Sequence, residues 1–179
     1  MCDRTSLTVP HNTSYKQEIA SFIRQHDKIA IVGLGNEYRT DDGVGVATIR
    51  LLEDEVVGRA EVALFDADRN LVRYLSEIEE FKPSGLLFID AANLGIEPGR
   101  IMVLDETHIV KHGILTHENN LELAMTYVKM VLPECRVLFI GIQFKSLEMS
   151  EGLVLTEEAK EAVTSLARLI AEALLMDQS

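Results

Sequence analysis

The sequence predicts an α/β fold of three layers, α/β/α, around a mostly parallel twisted sheet in a single domain spanning 1–179. Three observations predict it. Short apolar runs alternate with stretches of helical period along the chain. The run Gly85-Leu-Leu-Phe-Ile89 is apolar throughout, which suits a strand covered on both faces. The run Ile29–Val32 opens into a glycine turn with an amphipathic pattern behind it, Val46 to Leu52, and right-handed crossovers of this kind place helices on both faces.

The first helix is expected near Tyr15–Gln25, with Ile19, Phe22 and Ile23 on one face. A strand near Lys28–Gly33 leads to a helix from about Gly43 to Glu53, whose stripe is Val44, Ala47 and Leu51. A second strand, near Glu61–Phe65, ends at Asp66, and a helix near Leu71–Ile78 follows. The third strand ends at Asp90. Residues 95–100 form a turn, and Ile101–Leu104 read as a short edge strand. Leu121, Ala124, Met125, Val128 and Val131 recur at helical spacing between Glu118 and Leu132. Arg136–Gly141 is another buried strand. Thr156 is an N-cap for the last helix, with Glu157 and Glu158 in its favourable first turn. Its core face is Val163, Leu166, Ile170 and Leu174.

At 179 residues, 47% of them hydrophobic, the chain can bury a core without metal or disulfide staples. Its 17 basic and 29 acidic residues give a net charge of −12, which disfavours nucleic acid as a partner. Cys2 and Cys135 form neither a CxxC nor a zinc pattern, so a reducing cytoplasm is the simplest setting. Residues 1–12 lack the apolar core of a signal peptide. No apolar run reaches the roughly 18 residues of a membrane span, so no membrane partner is expected.

The densest chemistry lies in Gly33-Leu-Gly-Asn-Glu-Tyr-Arg-Thr-Asp-Asp-Gly-Val-Gly45. It sits at the carboxyl end of the first strand, where open α/β sheets place their ligands. The glycines Gly33 and Gly35 do not complete a dinucleotide fingerprint, because Tyr38 stands where the third glycine belongs. Read alone, Asp41 and Asp42 serve helix capping and catalysis equally well. Gly43 and Gly45 shift the balance, since glycine weakens a helix by roughly 1 kcal/mol against alanine. Two in a first turn suggest the close approach of a backbone or a ligand.

Asp66 and Asp90, each ending a strand, read as solvated ends, caps, or groups aimed into the crevice. Asn93 is most simply a turn residue. His117 precedes a strong helix, whose dipole disfavours the imidazolium and leaves a lone pair for a metal or a proton. A surface histidine beside an N-cap is the plainer reading. His108 and His112 are four apart, but Gly113 adjoins them and no HExxH is present. His11 and His26 read as surface residues. Cys135 reads as buried filler, and the absence of GxSxG disfavours an elbow-type serine hydrolase.

Together, Gly33-x-Gly35-Asn36, five intervening residues and Asp42-Gly43-x-Gly45 resemble the nickel–iron hydrogenase maturation endopeptidases. Matching blocks follow in order: Phe88-Ile-Asp90-Ala91, Leu94-Gly-x-Glu-Pro-Gly99, Thr116-His117 and Gly141-Ile-Gln143. The resemblance implies an α/β/α fold and an endopeptidase that removes a short C-terminal extension from a hydrogenase large-subunit precursor after nickel insertion. Cleavage follows a basic or histidine residue next to a metal-binding cysteine motif. By motif position, Asp42, Asp90 and His117 are implied as the metal-binding and catalytic residues. The resemblance also implies that nickel arrives with the substrate and that other divalent metals suit the same ligands. The first family position is Glu or Asp, and Asp42 is one methylene shorter than Glu. Phe65-Asp-Ala-Asp68 departs from a family segment that often carries glycine after the aspartate.

Two carboxylates and an imidazole form an oxygen–nitrogen set for a borderline divalent ion, with positions left open. A non-catalytic nickel- or precursor-binding chaperone could use the same residues. A peptidyl-tRNA hydrolase shares the Gly-Leu-Gly-Asn start, but it continues with Pro-Gly and needs a basic face. A monomer is the default expectation.

Overall fold

The computed structural model describes residues 14–104 and 114–176. Its elements are α1 (Tyr15–Arg24), β1 (Ile29–Leu34), α2 (Val44–Leu52), β2 (Val62–Asp68), α3 (Leu75–Phe81), β3 (Gly85–Ala92), β4 (Ile101–Leu104), α4 (Glu118–Val131), β5 (Arg136–Gln143) and α5 (Glu157–Leu175). The five strands form one sheet in the order β2-β1-β3-β5-β4. All neighbours are parallel except β4, which runs antiparallel to β5 at the edge.

Alternation along the strands sends side chains to two cores. On one face Ile31, Leu87, Ile89 and Ile140 pack beneath α1, α2 and α5, through Ile19, Val44, Leu166 and Ile170. On the other, Val32, Phe88 and Phe139 pack beneath α3 and α4, through Ile78, Leu121, Met125 and Val128. These are the three predicted layers. β3 is buried along its whole length, as its uninterrupted apolar run implies.

The sequence reading needs three corrections here. Leu51 is not on the buried stripe of α2 but is 49% exposed. The helix is wedged between the sheet and α5, so Val44, Ala47, Thr48, Ile49 and Leu52 are buried around two faces. Asp66 does not end β2, which continues to Asp68 across a register shift opposite Gly33 and Leu34. Asp90 does not end β3, because β5 keeps pairing beyond it, Asp90 with Gly141 and Ala92 with Gln143. Extended β3 therefore carries Asp90 inside the ladder.

Gly45 and Gly33 explain the glycine-rich turn. A Cβ on Gly45 would fall on the backbone oxygens of Leu34 and Ile89, and one on Gly33 would fall on the Gly45 carbonyl. The start of α2 lies directly on β1 and β3. The close approach inferred from sequence is that of another backbone.

β1 connects outward to β2 on one side, while β3 lies on the other. The strand order reverses between β1 and β3, and open α/β sheets place their ligand crevice at the carboxyl ends of such a switch point.

Candidate active site

Beyond β1 the chain enters a short 3-10 turn, Thr40–Gly43, which carries Asp41 and Asp42. Both are buried, and neither caps α2. Asp41 turns away from the crevice. Its Oδ1 accepts from the Thr156 backbone N–H at 2.8 Å. Its Oδ2 accepts from the Thr156 hydroxyl at 3.0 Å and from the N–H groups of Lys145 and Ser146 at 2.8 and 3.2 Å. It anchors the segment after β5 and the start of α5.

Asp42 turns inward and is 1% exposed. Its Oδ1 is buried and has no hydrogen-bond partner among the described residues. Its Oδ2 stands 3.7 Å from Arg39 Nη1. Burial raises the carboxyl above its ordinary pKa; Thr116, His117 and Arg39 pull it back, and Asp90 adds to the rise.

Asp90, equally buried, reaches the crevice from β3. Residues 114–116 run back along the end of that strand, with an antiparallel bridge between Leu115 and Ala92 and a hydrogen bond from Thr116 N–H to the Ala91 carbonyl. This return places Thr116 and His117 on Asp90. Asp90 Oδ1 accepts from the Thr116 hydroxyl at 2.9 Å and from the Ala91 N–H at 2.8 Å. It lies 3.0 Å from His117 Nδ1, and Oδ2 accepts from the His117 N–H at 3.1 Å.

His117 stands at the N-cap position of α4 with a side chain only 10% exposed. Burial opposes its imidazolium, but the bonded Asp90 carboxylate outweighs that, helped by the charges of Asp42 and Asp68. The net pKa is raised. The carboxylates, which the helix-dipole argument did not include, therefore oppose its preference for the neutral ring. With Nδ1–H donated to Asp90, the lone pair of the neutral ring lies on Nε2.

The structure thus brings the three predicted residues together. One ligand atom from each of Asp42, Asp90 and His117 lies within 4.8 Å of the others. Two oxygens and one nitrogen suit a borderline divalent ion. The orphaned Asp42 oxygen fits the same conclusion, because a buried carboxylate oxygen without a donor is unfavourable until a cation or a proton satisfies it.

Other candidates lie elsewhere. Asp66 binds Arg50 Nε at 3.3 Å, and Arg50 Nη2 binds Glu37 at 2.9 Å, which makes a rim network. The Asn93 N–H bonds to the Ile114 carbonyl, a long-range contact with the returning segment beside the Ala92–Leu115 bridge and not a turn bond. His26 is half-buried rather than at the surface, its ring against Phe22. Cys135 precedes β5 at the opposite end of the sheet, and burial pushes its thiol up to about 11, so it is no nucleophile. His11, His108, His112 and Cys2 lie outside the described residues. Sequence reasoning assigned no role to Thr116 or Arg39. Thr116 adjoins His117 in the motif, whereas the approach of Arg39 to Asp42 depends on the intervening 3-10 turn.

A family model for hydrogenase maturation protease matches residues 46–173, a span that includes Asp90 and His117 and begins after Asp42. The hydrogenase 3 maturation protease of Escherichia coli K12 is 28% identical over 113 residues, covering 62% of this chain and 69% of that protein. A Methanocaldococcus jannaschii protein, named provisionally as a hydrogenase maturation protease, is 24% identical over 163 residues, covering 88% and 94%. The crystal structure of the nickel–iron hydrogenase maturation protease HycI from Thermococcus kodakarensis superposes with a TM-score of 0.78 at 29% identity, covering 88% of this chain and 99% of that one.

Proposed function

The chain belongs to the hydrogenase maturation protease family, a family of peptide-bond hydrolases, and from that premise we propose that it removes the C-terminal extension of a nickel-loaded hydrogenase large-subunit precursor. The observation that carries this reading is the buried Asp42–Asp90–His117 cluster, with its orphaned oxygen, at the switch point between β1 and β3.

In this reading nickel is part of the substrate, and the three residues recognise it through two carboxylate oxygens and His117 Nε2. A divalent ion held there would polarise the neighbouring peptide carbonyl. Asp90 holds the His117 ring in one tautomer through Nδ1. Thr116 supports the same carboxylate and fixes its direction. With one Asp42 oxygen on the ion, the other, beside Arg39, is left to take the proton of the attacking water and return it to the leaving amine. Gating follows from the charge balance: without the ion, two buried carboxylates face each other and the scissile peptide has no anchor.

No helix among the described residues is long and apolar enough to cross a membrane. The reading places the enzyme in the cytoplasm, as a monomer of one domain, where Cys135 remains a free thiol. No observation favours the non-catalytic chaperone or the tRNA hydrolase.

Intact mass of a precursor, nickel-loaded or nickel-free, with and without this protein, tests the proposal. Loss of a C-terminal peptide from the nickel-loaded form alone is the expected result. Binding without mass loss on a cognate precursor would replace the enzyme with a chaperone.

A further inference from the structure

Arg39 brings a guanidinium to the cluster, and its geometry is not that of a simple counter-ion. An arginine committed to neutralising a carboxylate closes on it through two parallel bonds at roughly 2.7–2.9 Å. Here Nη1 stands 3.7 Å from Asp42 Oδ2, outside hydrogen-bond range. The fork is held from elsewhere: Nε donates to the Leu147 carbonyl at 3.3 Å. The backbone is fixed as well, with Arg39 N–H on the Asn36 carbonyl at 3.0 Å and Asp42 N–H on the Arg39 carbonyl at 2.8 Å. Nη2 has no hydrogen-bond partner among the described residues, and the side chain is 40% exposed. A cation anchored through Nε therefore stands beside the cluster, with donors to spare.

The charge of Arg39 favours the Asp42 carboxylate, but at 3.7 Å it leaves the Nη N–H groups unused, so charge neutralisation gives those donors no role. Peptide hydrolysis does. As the water oxygen bonds to the carbonyl carbon, the C=O π pair moves onto the carbonyl oxygen, which becomes an oxyanion. Preorganised donors aimed at such charge stabilise the transition state, because they need no reorganisation when it forms.

We propose that Arg39 is a catalytic residue of this protease, an oxyanion donor whose free guanidinium N–H groups bind the tetrahedral intermediate beside Asp42. The proposal rests on the endopeptidase reading above. Arg39 transfers no proton. Asp42 takes the water proton, the oxyanion pair re-forms C=O as the C–N bond breaks, and the proton passes to the leaving nitrogen. The arginine stays protonated throughout.

The test compares wild type, Arg39→Met, Arg39→Lys and Arg39→Gly on the nickel-loaded precursor, with nickel(II) titrations of each protein alone. Removing one oxyanion donor lowers kcat by about 10²–10³-fold. That fall is expected in R39M with KM and nickel(II) affinity little changed. R39K should recover only part of kcat. Guanidinium ion below denaturing concentration should rescue R39G, where sodium chloride at equal ionic strength does not. Unchanged kcat in R39M would overturn the proposal while leaving the protease reading intact. So would a loss of nickel(II) affinity parallel to the loss of activity, which would make Arg39 a prop for Asp42. Failure of the wild type to cut would remove the protease reading, and this proposal with it.

Discussion

Asp41 and Asp42 are adjacent and chemically identical, and their partners separate them. Asp41 receives four hydrogen bonds from residues 104 to 115 positions away, whereas Asp42 is left with an orphaned oxygen beside Asp90 and His117. No local pattern encodes so distant a set of donors, so the sequence left capping and catalysis open for both. His117 was legible as a position, but the upward pull on its pKa was not, because Asp90 and Asp42 reach it only through the fold. Two predictions belong at this scale. Asp90→Asn should leave a folded protein that releases no peptide by intact mass. Its amide nitrogen cannot accept from the His117 N–H as Oδ2 does, and its nickel(II) affinity should fall at least as far as the roughly 10–100-fold typical of a lost supporting partner. Full activity in that variant would remove Asp90 from the mechanism. The second concerns pH. Metal entry requires Asp42 and His117 to release their protons, and both pKa values lie above the ordinary ones. Nickel(II) affinity should therefore weaken as pH falls, and begin to do so at a higher pH than for an unperturbed histidine. Calorimetric titration across that range checks the sign; an affinity flat with pH would contradict it.

The segment between β5 and α5 acts as an element of the site although it forms no helix or strand. Thr40 donates through its hydroxyl to the Ser146 carbonyl at 2.6 Å and through its N–H to Ser150 Oγ at 3.2 Å, while Ser150 N–H reaches the Tyr38 carbonyl at 2.9 Å. Asp41 closes the same seam from within and ties it to the start of α5. Asp41→Ala would leave the N–H groups of Lys145, Ser146 and Thr156 without their acceptor in a buried place. Hydrogen bonds to a charged group contribute about 1.5–3 kcal/mol each and are not additive, so a loss of about 3–4 kcal/mol is expected. Urea unfolding measures it, and a loss below about 1 kcal/mol would show the seam to be incidental. The Thr156 cap of α5 was readable because its bond to Ala159 is local. The strand ends were not: β3 runs on past Asp90 only because β5 supplies partners, and β2 runs on only through a register shift against β1.

At the scale of the molecule, layers and helix faces were legible from periodicity, and the strand order was not. Nothing in the chain announces that β4 turns antiparallel at the edge, or that the order reverses between β1 and β3. That reversal has an energetic consequence. It lets Asp42 arrive from the turn after β1, Asp90 from β3 and His117 from the start of α4, three segments that approach one another only in the folded state. An unfolded chain does not assemble the cluster, so an ion bound there stabilises folding by mass action. At free nickel(II) one hundred times its dissociation constant the gain is about 2.7 kcal/mol. For a chain of this size each kcal/mol raises the melting temperature by about 2–4 °C, so a rise of about 5–10 °C is expected by calorimetry or circular dichroism. The same measurement on D90N separates this site from adventitious binding by an acidic surface of net charge −12. The nickel-dependent rise should be lost in the variant even though its net charge changes by only one unit and its acidic surface is untouched. If D90N gains as much as wild type, the ion is held elsewhere, and the crevice at the switch point is not the metal centre.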